Sequence, residues 1–303
     1  MVSDPDVVIR CTGVSKRFGR VVALDGLELT VPRGSVVGYL GPNGAGKSTT
    51  IRILLDLARP DAGEVTVLGV DPRRGGAASR RAIGYLPGEL RLDERMTVAE
   101  TLRSWERLRG IAADRTYVDE LCDRLDLDQT RETRGLSSGN RRKVGLVGAF
   151  MARPELLILD EPTAGVDPLV QAEFLALVAE ARDRGATVFL SSHVLSEVQR
   201  AADHVVVIRA GQIVAAGSVD EVRHAARQPF VAMFVDTPPI AELETTSGVG
   251  DVHARGREVS GVIEGSPNAL LAVLAKHPLE HLLLPEPDLE DAFLRFYQAE
   301  QLP

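Results

Sequence analysis

A run of nine residues near the amino-terminal end has the residue types and the spacing that bind phosphate. The run consists of Gly41, Pro42, Asn43, Gly44, Ala45, Gly46, Lys47, Ser48 and Thr49. It fits the pattern G-x-x-x-x-G-K-[ST], whose glycines let the backbone fold round an anion so that successive N–H groups point at phosphate. In this pattern Lys47 reaches the β- and γ-phosphates of a nucleotide, and the hydroxyl of Ser48 holds Mg²⁺. The run therefore predicts a nucleotide site.

The segments on either side of this run have the patterns that a phosphate loop requires. Residues 35–40 are mostly apolar and β-prone, as expected of a buried parallel strand. Residues 50–57 carry an apolar helical face, so a helix would begin at the loop and point its N-terminus at the phosphate. A strand, a glycine-rich loop and a helix in this order favour a nucleotide site over a chance match.

Two carboxylates follow a second apolar run. Asp160 and Glu161 come directly after residues 156–159, which are all leucine or isoleucine. Because an unpaired buried charge is costly, carboxylates at the end of an apolar strand seldom arise for stability alone. We expect Asp160 to lie beside the strand that feeds the phosphate loop and to join the Mg²⁺ shell. Glu161 is placed to accept a proton from an attacking water.

Two further groups could contact phosphate, although each has a simpler interpretation. His193 follows the apolar run 187–191 and could contact the γ-phosphate, but taken alone a structural histidine is the better interpretation. Ser137, Ser138 and Gly139 precede a predicted helix, and their hydroxyl and N–H groups could bind an anion. From spacing alone, an ordinary helix N-cap is favoured. A second anion site is unexpected in a chain with a single phosphate loop, unless it binds phosphate held by another subunit.

The remaining patterns predict an α/β chain with an inserted helical segment. Further strands are predicted at residues 7–12, 27–31, 64–67, 82–87, 205–208 and 213–215, with a turn at 16–20. Thr97 and Glu100 form a capping box that opens a helix through Arg109, and a second apolar stripe runs from Val118 to Leu125. We assign this part of the chain, residues 1–220, to one domain with a helical insert at about 89–135.

From about residue 221 the pattern changes to that of a small α+β domain, which we assign to residues 221–303. Strands are predicted at 230–235, 259–263 and 279–284, and helices at 268–276 and 288–297. This part carries 13 acidic and six basic side chains, whereas residues 1–220 carry 30 acidic and 29 basic ones. Neither part offers the basic surface that nucleic acid requires, so we expect no nucleic-acid partner.

The composition is that of a globular chain. Of the 303 residues, 44% are hydrophobic and 26% are charged, which excludes a disordered chain. No run approaches the roughly 18–20 apolar residues that span a bilayer, and the acidic amino terminus lacks the basic-then-apolar pattern of a secretion signal. Cys11 and Cys122 are isolated in the sequence, so we expect free buried thiols. These features favour the cytoplasm.

Together these motifs resemble those of the ATP-binding subunit of an ABC transporter. Residues 41–49 are similar to that family's first Walker motif, residues 157–161 to its second, and residues 136–140 to its signature loop. The signature usually reads Leu-Ser-Gly-Gly-Gln, and here Ser138 and Asn140 replace two of its residues. The motifs occur in the family's order over roughly residues 7–220, and their combination is very specific.

The resemblance also implies roles for single residues. Asp167 stands in the aspartate loop, His193 in the switch-histidine loop, and Phe18 where an adenine-stacking aromatic falls. Lys47 and Glu161 would act with His193 in catalysis. The family's cassettes pair head to tail, so the residues facing the ATP of a second copy would be Ser137, Ser138, Gly139 and Asp167.

The implied fold is a P-loop NTPase cassette, with a parallel-sheet core, an antiparallel β subdomain and an inserted helical subdomain. The implied cofactors are ATP and Mg²⁺, with Ser48 and Asp160 at the metal. The implied partner is an integral-membrane subunit that contacts the helical insert and the region of Gly88, which places the chain at the cytoplasmic face of the membrane. Gly88 stands where the family has a glutamine.

The carboxyl-terminal stretch 286–293 resembles the extension of daunorubicin-resistance-type exporter ATPases, so we expect a subunit that hydrolyses ATP to power export. One alternative is a soluble ABC-type ATPase that acts on ribosomes or DNA; a single cassette and an acidic tail argue against it. Another is a regulatory protein that binds ATP without turnover; the intact Lys47, Asp160, Glu161 and His193 argue against that.

Overall fold

A computed structural model of the chain describes residues 5–224 and 228–285. The chain divides into two compact units, Met1–Ala216 and Gly217–Pro303. The helix predicted at 288–297 and the exporter-like stretch 286–293 lie outside the described residues.

The described elements alternate between strands and helices along most of the chain. The strands are β1 (Val7–Phe18), β2 (Val21–Pro32), β3 (Val36–Leu40), β4 (Ala62–Val67), β5 (Ile83–Leu86), β6 (Leu156–Asp160), β7 (Thr187–Ser192), β8 (His204–Arg209), β9 (Gln212–Ser218), β10 (Gln228–Phe234), β11 (Val249–Arg255), β12 (Glu258–Ile263) and β13 (Leu279–Leu283). The helices are α1 (Lys47–Leu54), α2 (Pro72–Arg81), α3 (Val98–Arg109), α4 (Arg115–Arg124), α5 (Ser138–Phe150), α6 (Pro168–Asp183), α7 (Leu195–Ala201), α8 (Val219–His224), α9 (Ile240–Glu244) and α10 (Asn268–Leu274), with a 3₁₀ turn at Thr133–Gly135.

Two sheets build the first unit. A six-stranded sheet has the order β5-β6-β7-β3-β8-β9, and its neighbours from β5 to β8 pair in parallel. A three-stranded antiparallel sheet has the order β2-β1-β4. Their apolar faces share one core, in which Ile9 and Leu29 of the antiparallel sheet join Tyr39, Ile51 and Phe189. This arrangement confirms the predicted α/β cassette with its antiparallel subdomain.

The predicted helical insert contains two helices whose ends follow the sequence signals. Helix α3 begins at the predicted capping box, since the Thr97 hydroxyl accepts from the Glu100 N–H and the Glu100 carboxylate accepts from the Thr97 N–H. Helix α4 buries the predicted stripe that includes Val118, Leu121 and Cys122. Cys11 and Cys122 are free and buried, as predicted.

Three features of the first unit correct the sequence predictions. The turn predicted at 16–20 is wrong for residues 16–18, because β1 continues to Phe18 by pairing with β2. Strand β6, which ends in Asp160, does not lie beside β3, because β7 is inserted between them. Helix α2 was missed: its cap Asp71 and Pro72 favour a helix start, but Gly75 and Gly76 interrupt the helical pattern, and Gly76 has a φ of 58°.

Helix α5 packs closely against its neighbours because glycines lie at the contacts, one on strand β5 and two on the helix itself. A Cβ at Gly84 of β5 would collide with the carbonyl oxygen of Ala149 at the end of the helix. A Cβ at Gly145 would collide with Leu86, and one at Gly148 would lie 2.5 Å from the Trp105 ring of α3. These contacts fix α5 against both the edge strand β5 and the helical insert.

The second unit is a four-stranded antiparallel sheet with the order β11-β12-β10-β13. Phe230 and Phe234 of β10 pack with Leu243 of α9 and with Leu270 and Leu274 of α10 in a core of their own. The predictions of β10, β12, β13 and α10 are confirmed. Strand β11 was missed because its two core-facing valines, Val249 and Val252, are three positions apart and so break the alternation expected of a strand. Among the described helices of the whole chain, none combines the length and apolar character needed to cross a membrane.

We predict that Gly84→Ala destabilises the fold by about 1–3 kcal/mol, because the new methyl group must displace the main chain of α5 rather than a flexible side chain. Gly135→Ala is the matched control, since a Cβ there meets nothing within 4 Å, and it should change the free energy of unfolding by less than about 0.5 kcal/mol. Urea unfolding of both variants provides the measurement. Equal stabilities would show that α5 and β5 can separate at no cost.

Candidate nucleotide site

The phosphate loop connects the buried strand β3 to helix α1. Gly46 caps the helix with a φ of 117°, and a Cβ there would lie 2.7 Å from the Ala23 carbonyl oxygen, so only glycine fits. The helix starts without a side-chain cap. Because the first N–H groups of a helix have no partner within the helix, those of α1 can bind an anion.

Lys47 is the cation of this loop. Its side chain is 6% exposed, and its Nζ donates to the carbonyl oxygens of Gly41 at 2.5 Å and Pro42 at 3.3 Å. The same Nζ lies 3.4 Å from Oε1 of Glu161. The ammonium group therefore links the phosphate loop to the carboxylate that follows β6.

Ser191 of the adjacent strand β7 holds the Asp160 carboxylate and the main chain of Glu161 at the end of β6. Asp160 is 5% exposed, and its Oδ1 accepts from the Ser191 hydroxyl at 2.5 Å. The Glu161 N–H donates to the carbonyl and the hydroxyl oxygens of Ser191, both at 3.2 Å. Glu161 has a φ of 50°, a conformation that costs a non-glycine residue of the order of 1–3 kcal/mol and that is concentrated at functional sites.

His193 completes the group of contacts. It follows β7, and its Nδ1 lies 2.6 Å from Oε2 of Glu161. Because a carboxylate only accepts, Nδ1 carries the hydrogen of this bond. The structure thus brings Lys47, Glu161 and His193 together although they come from three separate parts of the chain, and a purely structural role for His193 is not favoured.

Two of the predicted residues offer the oxygen ligands that Mg²⁺ prefers. The Ser48 hydroxyl is exposed at the first turn of α1, and Asp160 has one oxygen bonded to Ser191. Mg²⁺ is usually bound by one or two protein oxygens together with phosphate oxygens and waters, so a hydroxyl and a carboxylate fit this ion. The described residues contain no group of three or more His, Cys, Asp or Glu side chains suited to a metal, and such a group is unnecessary here.

The signature-loop residues lie at the start of α5 and not at the phosphate loop. The Ser137 hydroxyl accepts from the Asn140 N–H at 3.2 Å, so within this chain it acts as an N-cap. A Cβ at Gly139 would lie 3.1 Å from the Gly165 carbonyl oxygen, which puts this loop beside the segment that leads to Asp167. Within the described part of the chain, no hydrogen bond or ion pair joins Ser137 to the phosphate loop.

The last two predicted residues occupy ordinary structural positions. Asp167 caps α6, accepting from the N–H groups of Val170 and Leu169, and these backbone bonds lower the pKa of its carboxyl group. Phe18 ends β1 with its ring half-exposed, and the Lys16 ammonium lies 5.3 Å from the ring centroid.

Sequence reasoning missed Arg142, which is 9% exposed on α5. Its guanidinium donates to the carbonyl oxygens of Pro87 and Gly88, both at 2.7 Å, and burial lowers its pKa. Gly88 in turn lies close to the Asp160 carboxylate, because a Cβ there would be 3.1 Å from Oδ2 of Asp160. A signal did exist, since Arg142 directly precedes a long buried stretch of α5. Its partners, however, are main-chain groups that a sequence pattern does not reveal.

Comparison with known proteins decides between the families that share a phosphate loop. Residues 24–164 match the ABC transporter family. The chain is 42% identical over 222 residues to a daunorubicin resistance ATP-binding protein of Streptomyces coeruleorubidus, a match that covers 72% of this chain and 70% of that protein. The chain belongs to the ABC transporter family. It is therefore an ATP-binding, ATP-hydrolysing cassette.

Two further matches extend this assignment of the ABC cassette. A Nod factor export ATP-binding protein I of Rhizobium leguminosarum bv. viciae is 33% identical over 307 residues, covering 97% of this chain and 96% of the relative. A solved structure described as the ATP binding subunit of an ABC transporter matches with a TM-score of 0.66 and 30% identity, covering 71% of this chain and 92% of that one. The predicted transporter ATPase is confirmed, and the alternative of a soluble ATPase on ribosomes or DNA receives no support.

Gly88 has no side chain to offer the metal, and the neighbouring Glu89 is a candidate replacement ligand. The structure instead places Glu89 on the surface, where its Oε1 accepts from Arg91 at 3.3 Å. We predict that Glu89→Ala changes the ATPase rate by less than ~10-fold, about 1.4 kcal/mol in barrier, with little change in the Mg²⁺ requirement. The rate is measured against Mg²⁺ concentration, with Asp160→Asn as the variant that should raise the requirement. A large rise for Glu89→Ala would mean that Glu89 is a metal ligand.

Proposed function

We propose that this chain is the ATP-hydrolysing subunit of an exporter and that it powers transport through a separately encoded membrane subunit. The observation that carries this proposal is the contact of Glu161 with both Lys47 and His193. It supports a site in which Glu161 is the base, Lys47 the phosphate-binding cation and His193 a polar contact for the γ-phosphate. The direction of transport is supported by relatives named for drug resistance and for Nod factor export.

In this site each residue has a separate chemical task. Lys47 and the N–H groups at the start of α1 bind the β- and γ-phosphates. Glu161 accepts a proton from the water that attacks the γ-phosphorus, and the bond to the β-phosphate oxygen breaks as the new P–O bond forms. His193 holds the Glu161 carboxylate and contacts the γ-phosphate. Ser48 and Asp160 would hold Mg²⁺, which supplies charge neutralisation at the phosphates when bound.

The site is completed by a second copy of the chain. Ser137 and Ser138 are exposed at the N-terminus of α5, a position that suits an anion. The next residue, Gly139, approaches the Gly165 carbonyl oxygen, so this loop lies beside the segment that leads to Asp167. A head-to-tail pair would place Ser137, Ser138 and Gly139 on the γ-phosphate bound by the partner, with Asp167 at the same interface.

The membrane subunit docks on a cavity of about 400 Å³ in the cassette. The cavity lies between the sheet edge and the helical insert, and it is lined mainly by apolar side chains that include Leu57, Tyr85, Pro87, Trp105 and Leu108. Pro87 directly precedes Gly88, so an occupant of this cavity would bear on the region next to Asp160. The chain would then act as a peripheral subunit at the cytoplasmic face of the membrane, with residues 1–220 as the cassette and 221–303 as an accessory domain.

Glu161→Gln tests the proposed hydrolysis. The amide keeps the size of the side chain but cannot take the proton, so turnover should fall ~10²–10⁴-fold while ATP affinity is retained. Phosphate release and equilibrium ATP binding are the measurements. Near-normal phosphate release would remove Glu161 as the base, and wild-type protein that binds ATP without any turnover would favour the regulatory alternative.

The same experiment has an arm that tests the shared site. Glu161→Gln should accumulate as a dimer in the presence of ATP and Mg²⁺, as seen by size-exclusion chromatography with light scattering. Adding Ser137→Arg should abolish this dimer without weakening ATP binding by the monomer, because Ser137 lies outside the phosphate loop. A double variant that still forms the dimer would contradict the head-to-tail arrangement.

Leu108→Asp tests the docking cavity. Leu108 is 81% exposed at the edge of the cavity, so the change should leave the unfolding temperature and ATP affinity intact. We predict at least ~10-fold weaker recovery of the chain in the membrane fraction of the cells that produce it, since a charge would face apolar groups of the partner. Leu169→Asp, at an 83% exposed leucine outside the cavity, is the control. Equal membrane recovery for both variants would place the docking site elsewhere.

A further inference from the structure

Arg142 is a buried cation whose partners are main-chain carbonyl groups. Two nitrogens of its guanidinium donate to adjacent carbonyl oxygens, those of Pro87 and Gly88, at 2.7 Å each. No ion pair joins it to a carboxylate within residues 5–224 and 228–285. Removing a guanidinium from water is costly, so a sequence keeps such a group where its fixed fork of donors is used.

The two carbonyl groups belong to the segment that leaves the edge strand β5. Helix α5, which carries Arg142, already packs closely on β5 through Gly84 and Gly145. The guanidinium extends this attachment beyond the strand and fixes the orientation of two consecutive peptide groups. A planar fork that binds both oxygens resists rotation of either peptide, which a single hydrogen bond does not.

The fixed segment touches the metal-site carboxylate. A Cβ added to Gly88 would lie 3.1 Å from Oδ2 of Asp160, so the Gly88 backbone forms one wall of the space round that oxygen. The opposite oxygen, Oδ1, is held by Ser191 at 2.5 Å. Asp160 is therefore positioned between a hydrogen bond on one side and the segment held by Arg142 on the other.

We propose that Arg142 is a positioning residue for ATP hydrolysis, which holds Pro87 and Gly88 so that Gly88 fixes the orientation of Asp160. Ser137 caps helix α5, so a movement of the helix with its cap would reach Asp160 through the same guanidinium. This inference rests on the proposed role of Asp160 in hydrolysis. By this proposal Arg142 and Gly88 together control part of the geometry of Asp160, in a chain that has glycine and not glutamine at position 88.

The sign of the electrostatic effect separates positioning from simple charge compensation. Asp160 and Glu161 both lie near enough to Arg142 to offset part of the effect of burial on its pKa. Removing this positive charge would make the site more negative and so would favour Mg²⁺. Weaker Mg²⁺ binding through the lost positive charge is therefore excluded as the cause of a fall in turnover.

The test compares Arg142→Gln and Arg142→Lys, with Arg141→Gln as the matched control for charge on the neighbouring residue of the same helix. Lysine keeps the positive charge but cannot donate to both carbonyl groups in one plane. We expect kcat to fall by ~10-fold or more in both Arg142 variants, because small misplacements at a reaction centre have effects of this size. The KM for ATP should stay within ~3-fold, and Arg141→Gln should retain kcat within ~2-fold.

Several outcomes would overturn the proposal. Wild-type kcat in Arg142→Lys would show that charge and not the fork matters, and a rise in KM with unchanged kcat would indicate a binding role. A lower unfolding temperature with intact kcat would reduce Arg142 to a structural residue. Loss of turnover in Glu161→Gln together with wild-type kcat in both Arg142 variants would overturn this inference while leaving the proposed function in place.

A second variant keeps the test decisive if the Arg142 variants do not fold. Gly88→Ala leaves the guanidinium intact and places a methyl group against Oδ2 of Asp160, a contact tight enough to push the carboxylate by a few tenths of an ångström. The proposal expects kcat to fall at least ~3-fold with the KM for ATP retained. Unchanged kcat in Gly88→Ala would show that the segment does not orient Asp160.

Discussion

The ion pair between Lys47 and Glu161 joins the two halves of the site across an intervening strand. Because the ammonium group is almost fully buried, it needs oxygen partners, and the loop carbonyl groups and the Glu161 carboxylate supply them. A γ-phosphate would present negative charge to the same ammonium and would compete with Glu161 for it. The carboxylate would then be released toward the attacking water from which it is proposed to take a proton. On the proposed mechanism, hydrolysis would thus depend on an exchange of anions round Lys47.

Such an exchange requires that the main chain at Glu161 stay in place while its side chain moves, and Ser191 holds this main chain. Its hydroxyl donates to Asp160 and accepts from the Glu161 N–H, and its carbonyl oxygen accepts from the same N–H. The positive φ of Glu161 turns the chain sharply after β6, so successive carboxylates face different partners. One residue of β7 therefore holds both the Asp160 carboxylate and the Glu161 main chain, while the Glu161 side chain makes its contacts elsewhere, with Lys47 and His193.

The features that could be predicted from the sequence are those that depend on residues close together in the chain. The phosphate loop and the capping box of Thr97 and Glu100 are set by residues within a few positions of one another, and both are found where predicted. The position of β7 between β3 and β6 is set by strand pairing over the whole domain, so Asp160 was assigned the wrong neighbour. The role of Arg142 could not be predicted for a related reason. Its partners are main-chain carbonyl groups, which every residue has and which no sequence pattern distinguishes.

The position of the signature loop argues for a second subunit more strongly than its sequence does. A helix N-terminus with exposed hydroxyl groups attracts an anion, yet within the described residues no hydrogen bond joins the Ser137 hydroxyl, which accepts from the Asn140 N–H, to the phosphate loop. The close approach of Gly139 to Gly165 ties this loop to the segment that begins α6, so the two would move together against a partner. Two anion sites that do not meet within one chain can act on one nucleotide only if two chains face each other in opposite directions.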